Sequence, residues 1–274
     1  METHRGRALR WTAPARQRKA RGIRHPVEDF LFTYYFVSLN KLEQWHPGVG
    51  VALEPADDLP SWFRHPPYLR EMAGIRITGP APGDRDRLGW IRDLLVATRD
   101  RPPNFGCHGL HEWAMVYRGT DVRHRESCGL RLPQSQVDAL VEARPLGCSH
   151  FDAFRFFHPA ARPLNRFEPT LDRRQSLEQP GCVHANMDLY KWAGKAMPWV
   201  GSDLLLDAFE LALDLRKLDM RASPYDLQAH GLDPVPIETE DGRAEYVRLQ
   251  QALATRAAPL RQRLIDSLDT LLQV

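Results

Sequence analysis

The sequence predicts a mainly α fold, a single helical domain with an irregular Pro-rich insertion and at most short strands. Three observations lead there. Between Asp84 and Thr98, Leu88, Ile91, Leu94 and Leu95 recur at helical spacing. From Ser202 to about Ala222, Leu205, Phe209, Ala212, Leu213 and Leu215 form a second such stripe, and a third helix is expected from near Gly242 to about Leu272. Residues 46–83, by contrast, carry Pro at 47, 55, 60, 66, 67, 80 and 82 and Gly at 48, 50, 74, 79 and 83, too many breakers for a regular element.

Taken in order, residues 1–24 form a basic arm or frayed helix. Within 1–25, eight Arg or Lys (Arg5, Arg7, Arg10, Arg16, Arg18, Lys19, Arg21, Arg24) face one acid, Glu2, so this arm could contact phosphates. Residues 25–274 make the single helical domain. His25-Pro26 opens a helix with Pro at its first position, acidic at Glu28 and Asp29 and then aromatic through Phe36. Short strands fit Val51–Leu53 and Ile75–Thr78. Pro102-Pro103 ends the helix of residues 84–98, and shorter helices are expected over Leu110–Tyr117 and Ser135–Ala143. Ser202 stands where a helix cap belongs, Ser223-Pro224-Tyr225-Asp226 reads as a turn, and Pro259 is a candidate kink in the last helix.

Composition narrows the class. A chain of 274 residues with 43% hydrophobic and 26% charged residues can bury a substantial core. No window reaches the roughly 18 apolar residues of a membrane span, and no apolar segment follows the N-terminal charges as in a secretory signal. A cytoplasmic protein is the expectation. Four cysteines in such a chain are thiols or ligands rather than a disulfide framework, and a net charge of +2 does not mark the whole molecule as a polyanion binder.

The polar chemistry concentrates in Gly147–Trp192. Each end of this stretch has a Cys, then a His, then an Asp set among aromatics: Cys148, His150, Asp152 and Cys182, His184, Asp188. His184 and Asp188 are four apart and share a face if helical; so do Cys107 with His111 and His108 with Glu112. If residues 148–152 are extended, Cys148, His150 and Asp152 point to one side. The pool His108, His111, Cys148, His150, Asp152 and His184 could supply zinc or iron ligands, although neither a CxxC pair nor an HExxH motif occurs. Asp152 and Asp188 are the best catalytic carboxylates, because their aromatic neighbours should lower the dielectric and raise their pKa values. The basic loop between them (Arg155, Arg162, Arg166, Arg173, Arg174) could line a groove for an anionic partner.

The blocks Arg24-His25-Pro26-Val27-Glu28-Asp29-Phe30-Leu31, Gly109–Arg118, Cys148–Phe157, His184–Trp192 and Arg221–Leu227 together resemble a set of high-GC bacterial proteins described as 3-methyladenine DNA glycosylases, across roughly residues 20–265. The resemblance implies hydrolysis of the N-glycosidic bond of an alkylated purine in DNA, without a cofactor. Such a base is cationic and stacks on electron-rich rings; the nucleotide must leave the duplex, and a carboxylate must stabilise an oxocarbenium-like transition state. On this expectation Asp152 or Asp188 is the catalytic carboxylate. Trp113, Phe154, Tyr190 or Trp192 is the stacking wall, Arg155 and Lys191 contact phosphate, and His111, Glu112, His150, His184 and Asn186 complete the substrate site. His46-Pro47-Gly48-Val49-Gly50 has the look of the hairpin of helix-hairpin-helix glycosylases, but no helix clearly follows it, and about twenty residues on, where that family has its catalytic Asp, this chain has Arg64-His65-Pro66-Pro67-Tyr68-Leu69-Arg70 and no acid before Glu71, so an ordinary turn is expected. Two other classes fit the residues: a zinc- or iron-dependent enzyme acting on a small molecule or nucleotide, and a nucleic-acid-binding protein without catalysis.

Overall fold

The longest stripe in the sequence becomes the central helix of the molecule. In the computed structural model, which describes residues 1–56, 58–119 and 128–273, helix α10 (Ser202–Arg221) is apolar on more than one face. Leu205, Leu206, Phe209, Leu211, Ala212, Leu213 and Leu215 are all fully or almost fully removed from solvent. Each large apolar side chain buried this way stabilises the fold by about 1.5–3 kcal/mol before the entropy cost of ordering it. Helix α10 packs against α9 (Val183–Lys195) and α11 (Glu240–Gln273), and α11 packs in turn against α4 (Pro82–Arg99). Helix α11 runs through Pro259 as one element. Shorter helices fill the periphery: α2 (Phe30–Tyr34), α3 (Leu39–Glu43), α5 (Leu110–Met115), α6 (Gln134–Ala143), α7 (Phe151–Phe154) and α8 (Arg174–Leu177). The fold is thus a mainly α single domain, and no helix among the described residues is long and apolar enough to cross a membrane.

The Pro-rich insertion holds the single sheet found among the described residues. Strands β1 (Ala52–Leu53), β2 (Tyr68–Glu71) and β3 (Gly74–Ile77) lie in the order β1-β3-β2, both pairings antiparallel, with Leu53 opposite Ile75 and Arg70 opposite the same residue on the other edge. Strand β2 is an addition to the two strands legible in the sequence. The sheet joins the helical body through buried Tyr68, Ile75 and Ile77, which belong to the core, and through hydrogen bonds. The Val49 amide donates to the Trp199 carbonyl at 2.6 Å, and the Trp199 indole donates to the Thr78 carbonyl at 2.9 Å. The Pro47-Gly48 turn therefore has its amide committed to Trp199, and Gly48, at φ +87°, lies so close to Gly201 that a Cβ would sit 3.0 Å from the Gly201 nitrogen.

Three expectations change. Ser202 does not cap α10: its hydroxyl donates to the Gln44 carbonyl and accepts from the His46 amide, while Gly201 takes the cap position. The helix expected over residues 26–36 is cut to α2, because Tyr35 turns extended and carries its ring inward. The basic arm is a docked helix, α1 (Glu2–Ala20), with His4, Ala8, Thr12 and Ala15 buried against α3 and α10. Three of its five arginines pair with acids: Arg7 with Asp207 and Glu210, Arg16 with Glu43, and Arg18 with Glu28 and Asp29. Those pairs take up part of the charge that a phosphate-contacting arm would need.

Gly242 in the first turn of α11 offers a sharp test of packing. A Cβ there would fall 2.0 Å from the Pro236 carbonyl oxygen, and that contact is backbone, which cannot rotate away. Gly242→Ala is expected to cost about 1–3 kcal/mol, as overpacking does, and to lower the midpoint of thermal unfolding by several degrees. An unchanged midpoint would contradict the close approach.

Candidate functional site

The ends of four helices and one extended segment converge on a cavity of about 330 Å3 between α2, α7, α9 and α10. Phe30, Tyr34, Tyr35 and Phe156 supply aromatic walls; Asp152, Asp188, Glu112, His150, His184 and Arg216 supply the polar ones. The site has two polar layers, both contributed to by α9. His184, Asp188 and Lys191 recur on one side of that helix at spacings of four and three, which is why a single helix can reach both layers.

The first layer is a set of carboxylates gathered on one guanidinium. Arg174, buried, donates from Nε to Glu178 Oε1 at 2.6 Å, from Nη2 to Asp188 Oδ2 at 2.8 Å and from Nη1 to Asp152 Oδ2 at 3.4 Å. Lys191 Nζ bridges Asp152 at 2.6 Å and Asp188 at 3.2 Å, and the Tyr35 hydroxyl donates to Asp188 Oδ1 at 3.2 Å. Three carboxylates thus face the buried Arg174 and the half-buried Lys191, and the exposed Arg155 pairs with Asp152 Oδ1 at 3.3 Å. His150 Nε2 stands 3.4 Å from Asp188 and 3.6 Å from Glu178, yet neither ring nitrogen has a hydrogen-bond partner among the described residues. Burial alone would push the Asp188 carboxyl up. The charge of Lys191, together with His150 and Arg174, outweighs it and holds Asp188 well below the ordinary carboxylate range. Asp152 is likewise lowered, burial being overcome by Lys191. The expected rise in both pKa values is therefore reversed: the aromatic surroundings are present, but so are cations the sequence does not connect to these acids.

The second layer lies between α5, α9 and α10. His111 Nε2 is 2.6 Å from Asp219 Oδ1, and Arg216 Nη1 donates to both Glu112 Oε1 and Asp219 Oδ2 at 2.9 Å while its guanidinium lies 4.0 Å from the centre of the Phe30 ring. His184 sits between the layers, its ring 4.6 Å from that of His111 and 5.5 Å from that of His150. The two histidines beside Asp219 are driven apart. Burial would lower His111, but Asp219 reverses this and raises it well above the usual value. Burial and the neighbouring His111 charge lower His184 to about 3. Burial also raises Glu112.

The structure brings Asp152, Asp188, His150, His184, Glu112 and, behind them, His111 and Lys191 together, and sends the other expected site residues elsewhere. Trp113 is 0% exposed and its indole donates to the Ala222 carbonyl, so it is core rather than wall. Tyr190, also 0% exposed, packs on Tyr35 and Phe209. Trp192 packs against Trp90 on the far side of α9, with Arg174, Lys191 and Lys195 over its ring. Phe154 packs on Phe157, and Asn186 joins the Pro180 carbonyl to Arg261. Arg155 is exposed and covers the Phe156 ring at 4.3 Å. Of the ligand pool, His108 precedes α5 in a left-handed conformation (φ 49°), and the Cys148 thiol, raised by burial, turns to the His150 carbonyl at 3.6 Å. Because α7 starts at Phe151, Asp152 leaves the alternation that would have aligned it with Cys148 and His150.

Arg174, Glu178, Arg216, Asp219, Tyr34 and Tyr35 complete the site and are absent from the sequence-derived set. Arg216 and Asp219 left a signal, since they are charged positions three apart inside the apolar stripe of α10. Arg174 was indistinguishable from its neighbours in a basic loop. Comparison with protein-family models, with curated proteins and with solved structures gave no match.

Two outcomes follow from the first layer. Arg174→Met leaves Glu178, Asp188 and Asp152 without their buried guanidinium and is expected to cost about 3–5 kcal/mol, measured by denaturant unfolding; a loss below 1 kcal/mol would mean that Arg174 is dispensable. The pH effect has a definite sign. A carboxyl lowered in the folded state contributes stability that is complete above its unfolded pKa and is lost as the pH falls through and below it. The acid limb of unfolding midpoint against pH should therefore be less steep below about pH 4 in Asp188→Asn than in the parent. Equal slopes would count against the lowered Asp188.

Proposed function

We propose that the chain is a hydrolase that cleaves the N-glycosidic bond of an alkylated purine of the 3-methyladenine type in DNA, a base-excision repair activity. The observation that carries this reading is the cavity itself: room for one base, aromatic rings on its walls, and two ionised carboxylates at its polar side. A cationic base would stack on Tyr34 and Phe156 or on Phe30, where ring electrons and nearby negative charge both favour it over a neutral one.

In this reading Asp188 and Asp152 have different tasks. Asp188 is buried and fixed by Tyr35, Arg174 and Lys191, which suits a charge that stabilises the sugar cation without moving. Asp152 is more open to solvent, with Arg174 and Lys191 on Oδ2 and only the exposed Arg155, at 3.3 Å, on Oδ1, which suits a group that orients the attacking water. Water adds to the anomeric carbon as the bond to the base nitrogen breaks, and the base departs with the bonding electron pair, which neutralises its positive charge. His150, which lines the cavity with Nε2 3.4 Å from Asp188, would read the edge of the base. Arg155 at the rim would meet the strand's phosphates, whereas Lys191 is held between Asp152 and Asp188 and serves the carboxylates instead.

Incubation of the purified chain with methylated duplex DNA, followed by chromatography of released bases, tests the assignment. Release of 3-methyladenine is expected, with Asp188→Asn at least about 100-fold slower, as for loss of a preorganised charge in the transition state. Phe156→Ala should raise KM more than it lowers kcat. No base release from methylated DNA by folded protein would sink the proposal, and full activity in Asp188→Asn would remove that residue from its role.

A further inference from the structure

The second polar layer contains more donor chemistry than the glycosidic reading uses. His111 on α5, His184 on α9 and Asp219 on α10 come from three separate helices, and their donor atoms all lie within 4.8 Å of one another. The geometry points to a binding site for a divalent first-row transition metal, zinc or ferrous iron, held by His111, His184 and Asp219 beside the cavity.

Distances fit this assignment. A tetrahedral zinc with ordinary bond lengths separates its donors by roughly 3.3 Å. His111 Nε2 to Asp219 Oδ1 is 2.6 Å and His184 Nε2 to Asp219 Oδ2 is 3.9 Å, values on either side of that spacing, so small side-chain rotations bring all three to one centre. Two imidazoles and one carboxylate are the ligand set of mononuclear sites that keep positions open for water or substrate. The open side here is the cavity, because His184 and Glu112 both line it.

Outer-shell contacts point the same way. Metal-ligating histidines hold their second nitrogen with another group, which fixes the ring and its tautomer. His111 Nδ1 stands 3.3 Å from Cys107 Sγ, which leaves Nε2 to face Asp219 and His184. Asp219 is oriented by Arg216 at 2.9 Å, itself anchored on Glu112. The His184 ring, by contrast, makes no hydrogen bond among the described residues; its nearest charged partner is Asp219 at 3.9 Å. The ring is half-buried and lines the cavity, which leaves its nitrogen lone pair open to an incoming ion. That is what a ligand requires.

The inference stands apart from the glycosidic reading, and its test reads metal rather than base release. The full chain is stripped with a chelator, then titrated separately with Zn(II) and with Fe(II) under anaerobic conditions, and bound metal is counted by mass spectrometry after dialysis. Co(II) added to the stripped protein reports the ligand field through its visible bands. One equivalent of zinc or iron per chain and a Co(II) spectrum with nitrogen ligation are expected. Asp219→Asn removes the partner of His111 and Arg216 and can fail to fold, so the deciding variant is His184→Gln, which breaks no hydrogen bond. It should bind at least about 100-fold more weakly, beyond or at the limit of outer-shell effects, while His150→Gln, in the same cavity, should bind as the parent does. Absence of stoichiometric binding of either metal to the parent, or parent-like binding by folded His184→Gln, overturns the site and leaves His111–Asp219 as an ion pair.

Discussion

The guanidinium of Arg174 is the contact on which the first polar layer of the cavity depends. It is nearly inaccessible, and it joins Glu178 in its own chain segment to Asp188 on α9 and Asp152 on α7, three acids that would repel one another without it. An ion network this deep is weak evidence for stability, since the desolvation of each charge offsets much of the attraction. What it does secure is geometry. The carboxylates cannot move independently, so the cavity presents fixed charge to whatever enters it, and an environment that does not reorganise is the condition under which a charge acts strongly on a developing cation.

The helical frame was largely readable because helices leave a local, periodic record. The stripes beginning at Leu88 and Leu205 mark α4 and α10, and Leu110 and Gln134 open helices close to where short ones were expected. Among the described residues, departures occur where a long-range contact overrides a local preference. Tyr35 leaves its helix to reach Asp188, 153 positions away. Ser202, a good cap by type, is taken by Gln44 and His46.

The site was legible in its composition and not in its assembly. Clustering identified Asp152, Asp188, His150 and His184, which do meet. The aromatics beside them divide by helix face, and sequence alone does not say that Tyr190 and Trp192 turn away while Phe156, and Tyr34 from a distant segment, turn in. Of the cations that set the protonation of the acids, Lys191 stands three residues after Asp188 on α9, but Arg174 comes from a loop where five arginines look alike. Asp219 was in principle legible: it is a charge on the apolar side of α10, such a charge must be matched, and His111 and Arg216 match it.

The seam between α1 and α2 gives the cavity a dependence on its solvent. The wall residues Phe30, Tyr34 and Tyr35 belong to a five-residue helix and its exit, too short to hold its own shape. The chain just ahead of it is fastened to α1 by Arg18 with Glu28 and Asp29, and α1 is clamped to α10 by Arg7 with Asp207 and Glu210. These pairs are partly exposed, so mobile ions in the surrounding medium screen them. Ionic strength thereby acts on the wall of the cavity from a distance, and the tightness of the pocket becomes a property of the buffer as well as of the chain.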